Sequence, residues 1–192
     1  MRYFRLSTLL SLIVFALLGW IGCQSLLRVP PTPVPGVALP FEVILHEAAG
    51  YNPQVVVFYQ EEFKAYVANS PADIQQLLTM IQPQVAQNLS LNTKLRNISL
   101  QDAFVLALFR RQGSSSCDVF DIREIKQDQG QIFVIVDAME RQGEECLATI
   151  THRVEIVKVK REPSDLKPQS EDVVIIPRYY VKNTLTDNDS GP

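Results

Sequence analysis

The chain has 192 residues, 46% of them hydrophobic and 20% charged, an ordinary globular composition that leaves room for one domain between its two ends. The net charge of -3 excludes the basic stripe that a nucleic-acid-binding protein needs to displace counterions from phosphates. It also leaves no polybasic patch for anionic lipid.

Residues 1–23 have the layout of an export signal. Arg2 and Arg5 precede an uncharged, largely apolar stretch over residues 6–27, which is typical of a secretory signal. The stretch contains the pair Gly22-Cys23, which resembles the site where a bacterial lipoprotein is cleaved and acylated. Cys23 is therefore the candidate lipidation site.

Three forms of this segment stay open. Cys23 could carry a lipid anchor, or the segment could be cleaved to release a soluble periplasmic domain. An uncleaved single-span anchor is also compatible, because residues 6–27 reach the ~20 residues needed to cross a hydrocarbon core. In each case the positive N-terminus predicts that the rest of the chain lies outside the cytoplasm, in the cell envelope.

Residues 24–40 are predicted to form a proline-rich linker. Five prolines lie between residues 29 and 40. Because proline fixes φ and lacks an N–H, the expected structure is an extended spacer that holds a domain off a surface.

The first half of the predicted domain, residues 41–160, begins with strands over 41–46 and 54–59 and a short helix over 60–69. A stronger helix signal starts at Ser70, which can cap a helix with proline in its first turn and an acidic residue three positions later. An apolar stripe at i, i+3, i+4 and i+7 follows. Residues 85–98 are weakly patterned and are expected to be irregular or marginally helical.

Residues 100–159 carry the clearest strand pattern, with strands predicted over 103–110, 119–126, 131–139 and 147–159. The first and third are apolar on both faces, as covered strands are. The last one is expected to bury Val154 and Ile156 and to expose Arg153 and Glu155. The predicted fold class is α+β, a mainly antiparallel β-sheet forming a sandwich or a partly open barrel, with one or two covering helices.

Cys117 and Cys146 flank the third of these strands. In an oxidising compartment two such cysteines can pair, so a disulfide is one expectation. The alternative places them on opposite neighbours of that strand, about two spacings of ~4.8 Å apart and beyond the ~7 Å Cα limit for a bridge.

The residues that could support catalysis are sparse. The two histidines, His46 and His152, lie in no metal-type spacing, and His152 has the parity of a core residue. Cys117 or Cys146 with His152 offers a nucleophile pair, but nothing in the sequence orients it. Glu61-Glu62 is expected to be solvated. We predict no catalytic residue, no cofactor and no metal site.

Residues 99–160 resemble the PrcB-type domain, named for a lipoprotein subunit of a bacterial surface protease complex. The resemblance lies in the apolar strand over 103–109, a glycine-containing turn, the hairpin over 119–139 around Gly130, and the closing strand over 146–159. It implies a non-catalytic, β-rich envelope domain that supports or binds another protein.

Residues 161–192 are rich in proline and polar residues, and such a composition predicts a mostly disordered tail. The exception is the β-prone run over 173–176. It is expected to dock on the domain as an edge strand, with a local apolar patch in an unstructured tail as the alternative.

These observations favour a non-enzymatic, envelope-anchored domain that acts in protein–protein contact or stabilises a complex with another envelope protein. The alternative is a small-ligand or lipid-binding envelope lipoprotein, and a cysteine-dependent enzyme is the third hypothesis. The candidate contact surface is the turn after the first long strand, expected to face solvent. Its residues are Arg110, Arg111, Ser114, Ser115 and Ser116.

Overall fold

In the part of the chain that the structure describes, the β-branched and aromatic segments form eight strands, which are accompanied by two helices. The computed structural model describes residues 33–47, 50–83, 89–113, 118–142, 151–162 and 164–183. The elements in chain order are β1 (Val37–Ala38), β2 (Phe41–Glu47), β3 (Phe63–Ala68), α1 (Pro71–Met80), α2 (Leu89–Arg96), β4 (Ala103–Gly113), β5 (Asp118–Asp128), β6 (Gln131–Gln142), β7 (Thr151–Lys160), a 3-10 turn (Ser170–Asp172) and β8 (Val173–Asn183).

The strands are divided between two four-stranded sheets. The first sheet has the order β1-β5-β6-β8 and the second the order β2-β7-β4-β3. Every pair is antiparallel except β6 with β8, which is parallel. This arrangement confirms the predicted α+β class with mainly antiparallel sheet.

Two apolar cores explain why β4 is apolar on both of its faces. Leu106 and Leu108 point into the core between the two sheets. Val105 and Ala107 point the other way and join Leu77 of α1 in a second core under the helices. The second sheet is therefore covered on both sides.

Helix α1 begins as its sequence predicts. The Ser70 hydroxyl accepts a hydrogen bond from the Asp73 N–H, and the Asp73 carboxylate accepts one from the Ser70 N–H. Each side chain thus satisfies a backbone donor that the first helical turn leaves without a partner.

Two predictions for the first half of the domain were wrong. The strand expected over residues 54–59 is a loop, because the Val55 and Val56 N–H groups donate to the Asn52 carbonyl in a turn. The helix expected over residues 60–69 is instead strand β3, in which Phe63 and Val67 lie on one face. A spacing of four residues fits either a helix or a strand, and pairing with β4 decides between them.

Two further segments differ from the expectations, and a third forms one of the two structures that the sequence left open. The end of the proline-rich linker is part of the fold, since β1 pairs with β5 and Leu39 is buried. Residues 89–96, predicted to be irregular or marginally helical, form α2. The tail was predicted to be mostly disordered, but β8 continues for eleven residues and pairs with β6 along its length. The prediction that residues 173–176 dock on the domain as an edge strand is confirmed.

Candidate functional site

One end of the sandwich gathers charged and aromatic side chains from both sheets. Two groups can be distinguished there. The first, which we call the Glu62 surface, consists of Tyr59, Glu62, Arg111 and Tyr179. The second, which we call the His46 cluster, consists of His46, Asp121 and Glu155.

Glu62 connects three elements at this end. Its carboxylate accepts hydrogen bonds from the Arg110 guanidinium on β4, at 3.0 and 3.1 Å, and from the Tyr179 hydroxyl on β8. Its carbonyl accepts one from the Arg111 N–H at 2.6 Å. The bond to Glu62 raises the pKa of Tyr179, because the carboxylate favours the protonated phenol.

Arg110 was predicted to face solvent, and this prediction was wrong. Its side chain is only 16% exposed, its guanidinium lies 5.7 Å from the centre of the Phe63 ring, and it donates to the Val119 carbonyl. The reason is strand parity, since Arg110 follows Leu108 on the face that points into the inter-sheet core. Arg111, on the opposite face, is exposed.

Two aromatic side chains are largely exposed, Tyr179 in contact with Glu62 and Tyr59 three residues before it in the chain. Tyr59 lies on the loop that leads into β3 and is 83% exposed, and Tyr179 is 64% exposed. The other predicted contact residues, Ser114, Ser115 and Ser116, lie outside the described residues, as do the lipidation site Cys23 and the cysteines at 117 and 146.

Glu155 anchors the His46 cluster. It was expected to be exposed, but only 2% of its surface is accessible, because it shares the inner face of β7 with Val157. A bulge in β5 between Ile122 and Glu124 directs the Ile122 N–H at its carboxylate, with the nitrogen 3.0 Å from Oε2. This bond offsets part of the cost of burying a carboxylate.

His46 lies between two carboxylates. Its Nδ1 is 3.5 Å from Glu155 Oε2, and its Nε2 is 3.6 Å from Asp121 Oδ1. The hydrogen bond with Glu155 raises the pKa of His46, and the negative charges of Glu155 and Asp121 act in the same direction. Desolvation and the charge of Arg153 oppose them.

A groove of about 700 Å³ lies along β2, the end of α2 and the start of β4. Phe41, Val43, Ile44 and Ile98 supply apolar walls, and three lysines stand around it. Lys158 pairs with Glu42, and Lys160 with Glu162. We call this feature, with Lys94 as its third cation, the lysine groove.

The remaining histidine is a packing residue, as its parity predicted. The His152 ring lies edge-to-face on Tyr51 with centroids 5.0 Å apart. Burial lowers the pKa of His152, since the charged imidazolium loses hydration there.

The alternation of inward-facing and outward-facing residues along a strand indicates that both Glu155 and Arg110 point into the core. Glu155 is two residues before Val157 and four before Val159, and Arg110 continues the series of Leu106 and Leu108. The meeting of His46 with Asp121 had no such signal, because it depends on how the edges of two sheets approach each other.

Comparison of the chain with protein-family models, with curated proteins and with solved structures gives no match. The resemblance to the PrcB-type domain therefore stays a prediction. Within the described part of the chain, no helix combines the length and the apolar character needed to span a bilayer.

Proposed function

We propose that this protein is a non-enzymatic domain anchored in the cell envelope through its N-terminal segment, and that it contacts another envelope protein through the Glu62 surface. The observation that carries the proposal is the exposed Tyr179, whose hydroxyl donates to the Glu62 carboxylate of a fixed ion pair, together with the exposed Tyr59 three residues before Glu62.

The composition of this surface supports protein contact. Tyrosine and arginine are enriched at the centres of protein interfaces, where they supply large contact areas and directional hydrogen bonds. Glu62, immediately before β3, joins β4 through Arg110 and β8 through Tyr179. Because these strands are already held in place, the backbone of this domain loses little additional conformational freedom when a partner binds, which favours association.

The membrane location rests on the N-terminal segment. An anchored domain at the end of a proline-rich spacer is restricted to a layer near the bilayer, which raises its effective concentration toward neighbouring envelope proteins. A modest contact surface then suffices for stable association.

The test is co-purification of the full chain from detergent-solubilised envelopes, with complex size measured by native gel or size exclusion. We expect a defined complex for the wild type and its loss in the Tyr59→Ala, Tyr179→Ala double variant. Leu89→Ala is the matched control, because Leu89 is 80% exposed on α2, a helix that contacts β2 and α1. A complex that survives the double variant unchanged would contradict the proposal.

The lysine groove favours a second candidate function, binding of an amphiphilic anion such as a fatty acid. Its apolar walls suit an acyl chain, and Lys94 suits a carboxylate or phosphate head, since the other two lysines already pair with Glu42 and Glu162. Native mass spectrometry of the purified chain with added dodecanoate should show a bound species that weakens in Lys94→Ala. The control is Lys167→Ala, at an exposed position outside the groove. Equal occupancy in the two variants would exclude the groove as the binding site.

A further inference from the structure

The His46 cluster brings three potential metal ligands together from three different strands. The donor atoms of His46 on β2, Asp121 on β5 and Glu155 on β7 all lie within 4.8 Å of one another. We propose that these residues form a binding site for a divalent transition-metal ion of the Zn²⁺ class, independent of the Glu62 surface.

The donor set suits such an ion. One imidazole nitrogen and two carboxylate oxygens match the mixed nitrogen and oxygen ligands of three-residue zinc sites, with solvent completing the coordination. The Ile122 N–H bond to Glu155 orients one carboxylate, as outer hydrogen bonds do in metal sites. His46 and Asp121, with side chains 41% and 54% exposed, leave a route from solvent.

Binding requires one small rearrangement. Metal bonds of about 2.0–2.2 Å place ligand atoms roughly 3.0–3.5 Å apart. The 3.5 Å between His46 Nδ1 and Glu155 Oε2 already matches this spacing. Asp121 lies beside the other ring nitrogen, so its exposed side chain must swing toward Nδ1 to complete the site.

A further carboxylate lies on the strand next to Asp121. Asp137 on β6 stands directly opposite Asp121 in the β5/β6 register. One of its carboxylate oxygens, Oδ1, is buried with no hydrogen-bond partner in the described part of the structure. Arg178 on β8 stands opposite Asp137 on the other side of β6 and offsets this like-charge pair, so the proposal rests on the three cluster residues.

The experiment is titration of the chelator-treated full chain with Co²⁺, whose visible absorption reports its ligands, followed by displacement with Zn²⁺. We expect one equivalent of Co²⁺ with nitrogen and oxygen coordination. Asp121→Asn and His46→Gln should weaken binding by at least ~10-fold, the scale on which even outer-sphere substitutions act. Asp121 is exposed, so its variant keeps the test valid if His46→Gln folds poorly.

His152→Gln is the matched control, because it removes the other histidine of the chain and leaves the cluster intact. Affinity unchanged by Asp121→Asn and His46→Gln, or a thiolate-to-cobalt absorption band, would assign the ion to other ligands and overturn the proposal. Absence of binding at millimolar Co²⁺ and Zn²⁺ would also overturn it and would leave His46 as a hydrogen-bonded link between the sheets.

Discussion

Ser70 shows how much one side chain contributes to the start of a helix. Its hydroxyl accepts from the Asp73 N–H, one half of the capping box that begins α1. Ser70→Ala should lower the free energy of unfolding by about 1 kcal/mol, the usual cost of losing such a cap. Chemical denaturation measures this, with Ser164→Ala in an exposed turn as the control. Equal losses in the two variants would refute the assignment.

His152 should make the protein less stable in acid. Burial lowers its folded-state pKa below the ordinary value of 6.5, so the unfolded chain binds a proton more readily than the folded one. The stability that the neutral ring confers is present above pH 6.5 and is lost as the pH falls below that value. His152→Gln cannot protonate, and its stability should therefore decline less between pH 7.5 and 5. Parallel pH profiles for the two proteins would contradict this.

At the scale of elements, hydrogen bonds from Arg161 hold the loop between β7 and β8 in place. It is 5% exposed, donates to the Ala103 carbonyl, the Asn69 amide oxygen and the Leu166 carbonyl, and lies 5.7 Å from the centre of the Phe104 ring. These bonds hold the segment that leads into β8 against the edge of the second sheet.

Arg161→Met should destabilise the fold by about 2–4 kcal/mol, because it leaves one buried and two part-buried acceptors without this donor. Thermal denaturation checks this against Arg123→Met, at an exposed position on β5. A small effect at Arg161 would mean that water replaces its bonds.

The type of an element could be predicted where its apolar pattern was long or where its first turn carried a capping signal. Strand β4, with its apolar run, and helix α1, with its capping box, formed as the sequence predicts. The segment that became β3 was mistaken for a helix because its spacing suits both periods, and only its neighbour in space distinguishes them. The length of β8 could not be predicted for a similar reason, since its polar second half forms a strand only by pairing with β6.

At the scale of the whole molecule, β8 is an integral part of the sandwich. It is the parallel neighbour of β6, and Val173 and Ile175 pack against the core between the sheets. A chain that ends at Pro168 should lose cooperative unfolding, since the backbone edge of β6 would lose its partner and the core would lose the cover of Val173 and Ile175. A chain that ends at Asn183 retains every described element and should unfold cooperatively. Similar cooperative transitions in both would contradict this role.

The candidate sites belong to this scale as well, and they explain why the sequence predicted them only in part. The Arg110 end of the sheet was predicted as a place of contact, yet the exposed residues there include Tyr59 and Tyr179, which are 120 positions apart in the chain. Tyr179 reaches Glu62, 117 positions away in the chain, only because β3 and β8 lie at the same side of the two sheets. No local pattern encodes such a meeting.

The most direct test of the proposed function is site-specific photo-crosslinking in intact cells of the native host. A photoreactive phenylalanine at position 59 or 179 should form one discrete adduct with an envelope protein, whereas the same group at the control position 89 should not. The adduct at position 179 should disappear when Arg111 is changed to Glu. Absence of an adduct at both positions, or equal labelling at position 89, would contradict the claim that the Glu62 surface is a protein-contact site.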